Sequence, residues 1–140
     1  MHKNRLYIKM AAILGAMAVV FGAFGSHLLR EKMTPDTQST WETAVSFQFY
    51  HALGLLAVGI LYKRYHSHML VNAGRFIFGG TIFFSGSLYM STILTMIGLP
   101  GLGMFSMITP IGGVALFLGW VCLFLGMPGN WMKKDAEEKD

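Results

Sequence analysis

MAAILGAMAVVFGAFGSHLL, residues 10–29, carries no charged side chain over 20 positions. Lys3, Arg5 and Lys9 stand just before it. A basic start followed by an apolar stretch is also how a secretory signal peptide begins, and Ala23-Phe24-Gly25 loosely resembles a cleavage site. Length separates the two readings. A helix rises about 1.5 Å per residue, so a run of this length reaches across the ~30 Å hydrocarbon core of a bilayer. The stretch is therefore read as an uncleaved membrane-spanning helix, from about residue 6 to residue 29.

Three more apolar runs follow, at about 44–62, 76–97 and 104–127, and the whole chain of residues 1–140 reads as one membrane domain. The segments between the runs are charged unequally. Lys3, Arg5, Lys9, Lys63, Arg64, Arg75, Lys133, Lys134 and Lys139 fall in one alternate group, and only Arg30 and Lys32 in the other. Cytoplasmic segments accumulate Lys and Arg, and this bias sets orientation. The fold expected is an all-α integral membrane four-helix bundle, up-down in topology, with both termini in the cytoplasm. Trp131 marks the inner interface, and residues 131–140 form a charged tail.

Composition agrees with that reading. Hydrophobic residues make up 54% of the chain and charged residues 13%, about half the charged share of a soluble domain. The net charge of +4 is explained by topology, so nucleic acid is not an expected partner; the bilayer is. Cys122 is the sole cysteine and lies in an apolar run, which excludes a disulfide framework and a thiol metal cluster.

Small residues are ordered rather than scattered. Ala11, Gly15, Ala18, Gly22 and Gly25 recur at alternating steps of four and three on the first span. Gly112, Ala115, Gly119, Cys122 and Gly126 do the same on the fourth. Small residues let backbones approach closely in lipid, so each seam is expected to meet another helix. Between the first two spans, Thr34-Pro35 and the capping-box pattern Ser39-x-x-Glu42 are both helix starts, with Trp41 at the outer interface. Gly98, Pro100, Gly101 and Gly103 break the chain before the fourth span, where Thr109-Pro110 reads as an N-cap and first-turn pair.

Placed by depth, the polar residues collect in the outer half of the spans: His27, then Gln48 and His51 one turn apart, then Ser85, Tyr89 and Thr92, and Thr109 at the start of the last span. An ionisable residue in a span is a functional hypothesis by default, and His51 is the deepest. One reading is a polar pocket open to the outside. The other is that these side chains cross-link helices through hydrogen bonds. No Asp or Glu lies inside a span, which weighs against a proton or cation path. Two histidines are too few to define a haem or copper site, no phosphate-cradling motif follows a strand, and no cofactor or metal is expected. Eleven methionines are spread as apolar filler.

Gly22-Ala-Phe-Gly-Ser-His27, Phe49-Tyr50-His51-Ala52-Leu53, Phe84-Ser-Gly-Ser-Leu-Tyr89, Thr109-Pro-Ile-Gly-Gly113 and Gly119-Trp120 touch all four spans. In order and spacing they resemble the YgdD-like family of small bacterial inner-membrane proteins, a domain of unknown function. Ser26 stands where that family has Ala, and Phe47-Gln48 is close to its Tyr-Gln pattern. The resemblance implies a multi-pass protein of the bacterial inner (plasma) membrane whose biochemical role is unassigned.

Three functions follow in order. First is a non-enzymatic protein that assembles with itself or with other membrane proteins. Second is a small transporter or channel-like carrier using the polar pocket. Third is an enzyme acting on lipid or quinone, for which Ser85, Ser87 and His51 lack an acid partner. The uncleaved first span is open to direct test: intact-mass measurement should return the full chain, and a mature chain starting near Ser26 would overturn it.

Overall fold

A computed structural model describes residues 2–105 and 107–129. Trp131 and the charged tail lie outside the described residues. The described residues are all helical apart from turns, with no strand. They form α1 (His2–Ala23), continued by a π turn over Phe24–Leu28 and a short 3-10 turn at Arg30–Lys32, then α2 (Pro35–Tyr65), α3 (His68–Met96), α4 (Gly101–Phe105) and α5 (Ile108–Leu125). Four helical segments, Lys3–Leu28, Pro35–Tyr65, His68–Met96 and Ile108–Leu125, are long and apolar enough to cross a membrane.

Local chemistry sets the helix ends. Of the two candidate starts for the second helix, Thr34-Pro35 is used: the Thr34 hydroxyl accepts the Thr37 N–H at 3.3 Å, and Pro35 sits where no donor is needed. Asp36 in the first turn and Lys63 and Arg64 in the last suit the helix dipole. Ser39 lies inside the helix, where its carbonyl accepts from Thr43. The basic segment after the second span is helical apart from His66 and Ser67. His66, at φ 41°, turns the chain in the left-handed region, and Ser67 caps α3 by accepting the Met69 N–H at 3.2 Å. Gly98 supplies a second left-handed position, φ 80°, after α3.

The α5 start differs from the sequence expectation. The helix begins at Ile108, so Thr109 is in the first turn and is not the N-cap; its hydroxyl lies 3.2 Å from Phe105 O. Pro110 remains within the first turn, where its missing N–H leaves nothing unpaired.

α2 and α3 lie at the centre, with α1 packed mainly on α2 and α5 mainly on α3. Each outer helix also reaches the second central one, α1 through Tyr7 on Val71 and α5 through Trp120 on His51. Both small-residue seams are used inside this arrangement. Ala11 and Ala18 are buried. A Cβ on Gly22 would stand 3.4 Å from Val45, and one on Gly25 would stand 2.5 Å from the Trp41 indole, whereas Gly15 has 4.0 Å to Ala52. On α5, Gly112 abuts the Phe84 backbone, a Cβ on Gly119 would come within 2.6 Å of Ile77, and one on Gly126 within 3.0 Å of Leu70. α3 reciprocates with Gly80, whose added Cβ would lie 2.8 Å from the Leu116 amide nitrogen.

Two apolar clusters fill the interior. One comprises Tyr7, Ala11, Leu14, Ala52, Leu55, Val58, Ala73 and Ile77. The other, around Trp41, Ala44 and Tyr89, gathers Phe21, Val45 and Leu88. Trp41 departs from its expected place at the membrane interface: it is 5% exposed, and its indole donates to Phe21 O at 2.8 Å. An indole N–H in lipid finds no partner, so burial against a backbone carbonyl is preferred.

Gly112→Val should drive α3 and α5 apart, because the added atoms meet Phe84 backbone and not a mobile side-chain tip. A loss of roughly 1–3 kcal/mol is expected from unfolding in detergent. Gly86→Ala, which meets nothing within 4 Å, should be neutral or gain up to about 1 kcal/mol of helix propensity.

Candidate functional site

Gln48 is the centre of the polar cluster. It is 3% exposed on α2; its amide nitrogen donates to Leu14 O of α1 at 2.8 Å, and its amide oxygen accepts the Tyr89 hydroxyl of α3 at 2.9 Å. One turn before Gln48, the carbonyl of Ala44 accepts the Ser85 hydroxyl at 2.8 Å. Phe21, Trp41 and Tyr89 pack edge to face around this layer, with centroids 4.7 to 6.1 Å apart.

His51, one turn further along α2, is held at both ring nitrogens. Nδ1 lies 2.7 Å from Phe47 O, and Nε2 lies 3.1 Å from the Trp120 indole nitrogen of α5. An indole N–H can only donate and a carbonyl can only accept. These partners assign one neutral tautomer, with the proton on Nδ1 and the Nε2 lone pair accepting from Trp120. A metal at Nε2, or a proton added there, would displace the indole. Phe47 stacks near the imidazole on one side, at 5.8 Å between centroids, and Trp120 meets it edge-on at 6.0 Å.

The remaining candidates separate from this group. Thr109 donates to the Ser87 hydroxyl at 2.6 Å, and Ser87 in turn donates to Phe84 O at 2.8 Å, so this pair ties the start of α5 to α3. Thr92 is 1% exposed, and its hydroxyl has no partner in the structure. His27 lies in the π turn and is exposed. The structure therefore joins Gln48, Tyr89 and Ser85 around α2, joins His51 to Trp120, and leaves His27 and Thr92 outside both groups. Among the described residues, no group of three or more His, Cys, Asp or Glu side chains comes together.

Trp120, Trp41 and Ser87 are the participants that sequence reasoning did not assign to the cluster. A signal existed for the tryptophans. An indole N–H within a span has no partner in lipid, and the acceptors that could meet it are a helix carbonyl or a neutral imidazole.

The sequence profile of the family described as "Protein of unknown function (DUF423)" matches residues 21–113. The UPF0382 membrane protein of Staphylococcus saprophyticus is 43% identical over 123 residues, 87% of this chain and 96% of the relative. YwdK of Bacillus subtilis, also named a UPF0382 membrane protein, is 37% identical over 120 residues, 85% of this chain and 93% of that one. The UPF0382 inner membrane protein YgdD of Escherichia coli is 32% identical over 123 residues, 88% and 89% of the two chains. No solved structure matches. The chain belongs to the DUF423 family and is a multi-pass protein of the bacterial plasma membrane.

Removing Gln48 leaves the Tyr89 hydroxyl without its acceptor and takes from Leu14 O the bond it makes beyond its own helix. Gln48→Leu is expected to lower stability by roughly 1–3 kcal/mol, and Tyr89→Phe by about 0.6 kcal/mol, the average for interhelical bonds in lipid. Because both changes delete the same bond, the double variant should lose less than the sum of the singles. Unfolding in detergent measures all three, and full additivity would contradict a shared bond.

Proposed function

We propose that this DUF423-family protein is non-enzymatic and acts by assembling in the bilayer, with copies of itself or with helices of other membrane proteins. The observation that carries this reading is how the polar groups are spent. Gln48, His51, Ser85, Tyr89 and Thr109 each have partners within the chain, while the outward surface is apolar. The α5 seam is filled by internal packing and the α1 seam only in part, since Gly15 keeps 4.0 Å to Ala52 and Gly22 borders an open hollow.

The face best suited runs along α1 and α2. Two hollows of about 320 and 370 Å³ meet there, sharing Val19 and Phe49. Ala12, Gly15, Ala16 and Ala23 give α1 a shallow wall, and Tyr50 and Leu53 project from α2. Shallow walls of small residues allow close helix approach where packing is the associating force.

The same reading has the helices alternating in direction, with both termini in the cytoplasm. Contacts of Gly59 with Asn4 and Ile8, of Trp41 with Phe21 and of Gly126 with Leu70 support the alternation. The nine-to-two division of Lys and Arg supports the orientation. A carrier with an outward polar pocket is the alternative, and it needs groups free to exchange partners. The hydrogen bonds of the cluster favour cross-linking instead.

Two measurements test these statements. In a Cys122→Ala background, Ala16→Cys should form covalent dimers in membranes on mild oxidation and Phe117→Cys should not. If the first variant stays monomeric and native mass spectrometry in mild detergent shows a lone subunit, assembly is refuted. In the same background, an impermeant thiol reagent should reach Ser67→Cys only from the cytoplasmic side and Asp36→Cys only from outside; the opposite pattern reverses the orientation.

A further inference from the structure

At the end of the molecule where α1 begins, Lys3 and Arg75 bring two positive charges to one cleft. Among the described residues the acidic side chains are Glu31, Asp36 and Glu42, all between the end of α1 and the first turns of α2. Lys3 and Arg75 instead flank a cleft of about 330 Å³ between α1 and α3. Its depth is apolar, walled by Leu6, Met10 and Phe78 and floored by Gly79. Tyr7 is wedged behind it: the hydroxyl donates to Val71 O at 3.1 Å, and the ring rests on Gly74, where a Cβ would come within 2.6 Å. Tyr7 thus bridges α1 and α3 behind the cleft. Beside Gly79 a Cβ would meet no atom within 4 Å, so the floor is open space.

We propose that this cleft binds an anionic phospholipid, with the phosphate between Lys3 and Arg75 and one acyl chain laid over Gly79. Two cations above an apolar slot match the two parts of such a lipid, and the charge selects it over a zwitterionic one. Basic pockets between helices on the cytoplasmic side hold anionic head groups in this way, and a guanidinium presents the planar donor fork that phosphate oxygens take up. The site differs from the α1–α2 face proposed for assembly and does not depend on it.

The test uses the full chain in mild detergent, titrated with phosphatidylglycerol or phosphatidylcholine and read by native mass spectrometry. Wild type should retain phosphatidylglycerol preferentially. Lys3→Gln with Arg75→Gln should lower that retention about thirtyfold, as two surface charges imply. Arg5→Gln with Lys9→Gln removes the same charge from residues that do not line the cleft and should leave retention unchanged. Gly79→Leu fills the floor without backbone collision and should abolish retention while the thermal midpoint holds. Inorganic phosphate should not compete. Equal retention of both lipids by wild type, equal losses in the two charge pairs, or displacement by inorganic phosphate would each overturn the proposal.

Discussion

Gln48 fixes three helices at one point. Its two amide atoms have a donor and an acceptor role that cannot be exchanged, and each is satisfied by a different neighbour, Leu14 O on α1 and the Tyr89 hydroxyl on α3. In lipid there is no water to stand in for a missing partner. A helix that slid along α2 by one turn would leave a buried amide unpaired, so this side chain sets register where apolar packing alone would not. The Ser85 bond to Ala44 O enforces the same alignment of α2 and α3 a turn away.

The fourth span is held by a different means. α5 meets α3 through Gly112, Gly119, Gly126 and the reciprocal Gly80, so the two backbones approach closely along most of the length of α5. Dispersion over this contact replaces the hydrophobic effect, which is absent between helices in hydrocarbon. Among the described residues, polar side-chain bonds join α5 to its neighbours from Thr109 to Ser87 near its start and from Trp120 to His51 further along. The first orients the helix against α3, and the second carries its contact across to α2.

The sequence made the spans legible because lipid imposes a length and a composition that few other environments demand. It made the seams legible because spacing alone puts small residues on one face. Spacing does not name the partner. Gln48 and His51 share a face by their separation, yet which carbonyl, hydroxyl or indole meets each depends on the rotation and depth of other helices. Trp41 shows the limit most clearly. Its position near a span end suited an interfacial aromatic, but Gly25 leaves room for the ring and Phe21 leaves a carbonyl for the indole, and together these draw it inside. Ser39-x-x-Glu42 and Thr34-Pro35 carry equivalent capping chemistry, so local sequence could not rank them; the earlier pair prevails because the helix continues unbroken through the later one.

His51 bears most directly on what kind of protein this is. A histidine that shuttles protons or ligates a metal needs one nitrogen whose partner can leave, commonly water or a hydroxyl. Here one nitrogen faces a carbonyl of its own helix and the other faces an indole anchored in α5 by a backbone interface of glycines. Releasing Nε2 would require Trp120 to swing away and leave its own N–H unpaired, or α5 to move as a body. The imidazole accepts from a tryptophan within a span, and that bond ties α5 to the centre of the fold.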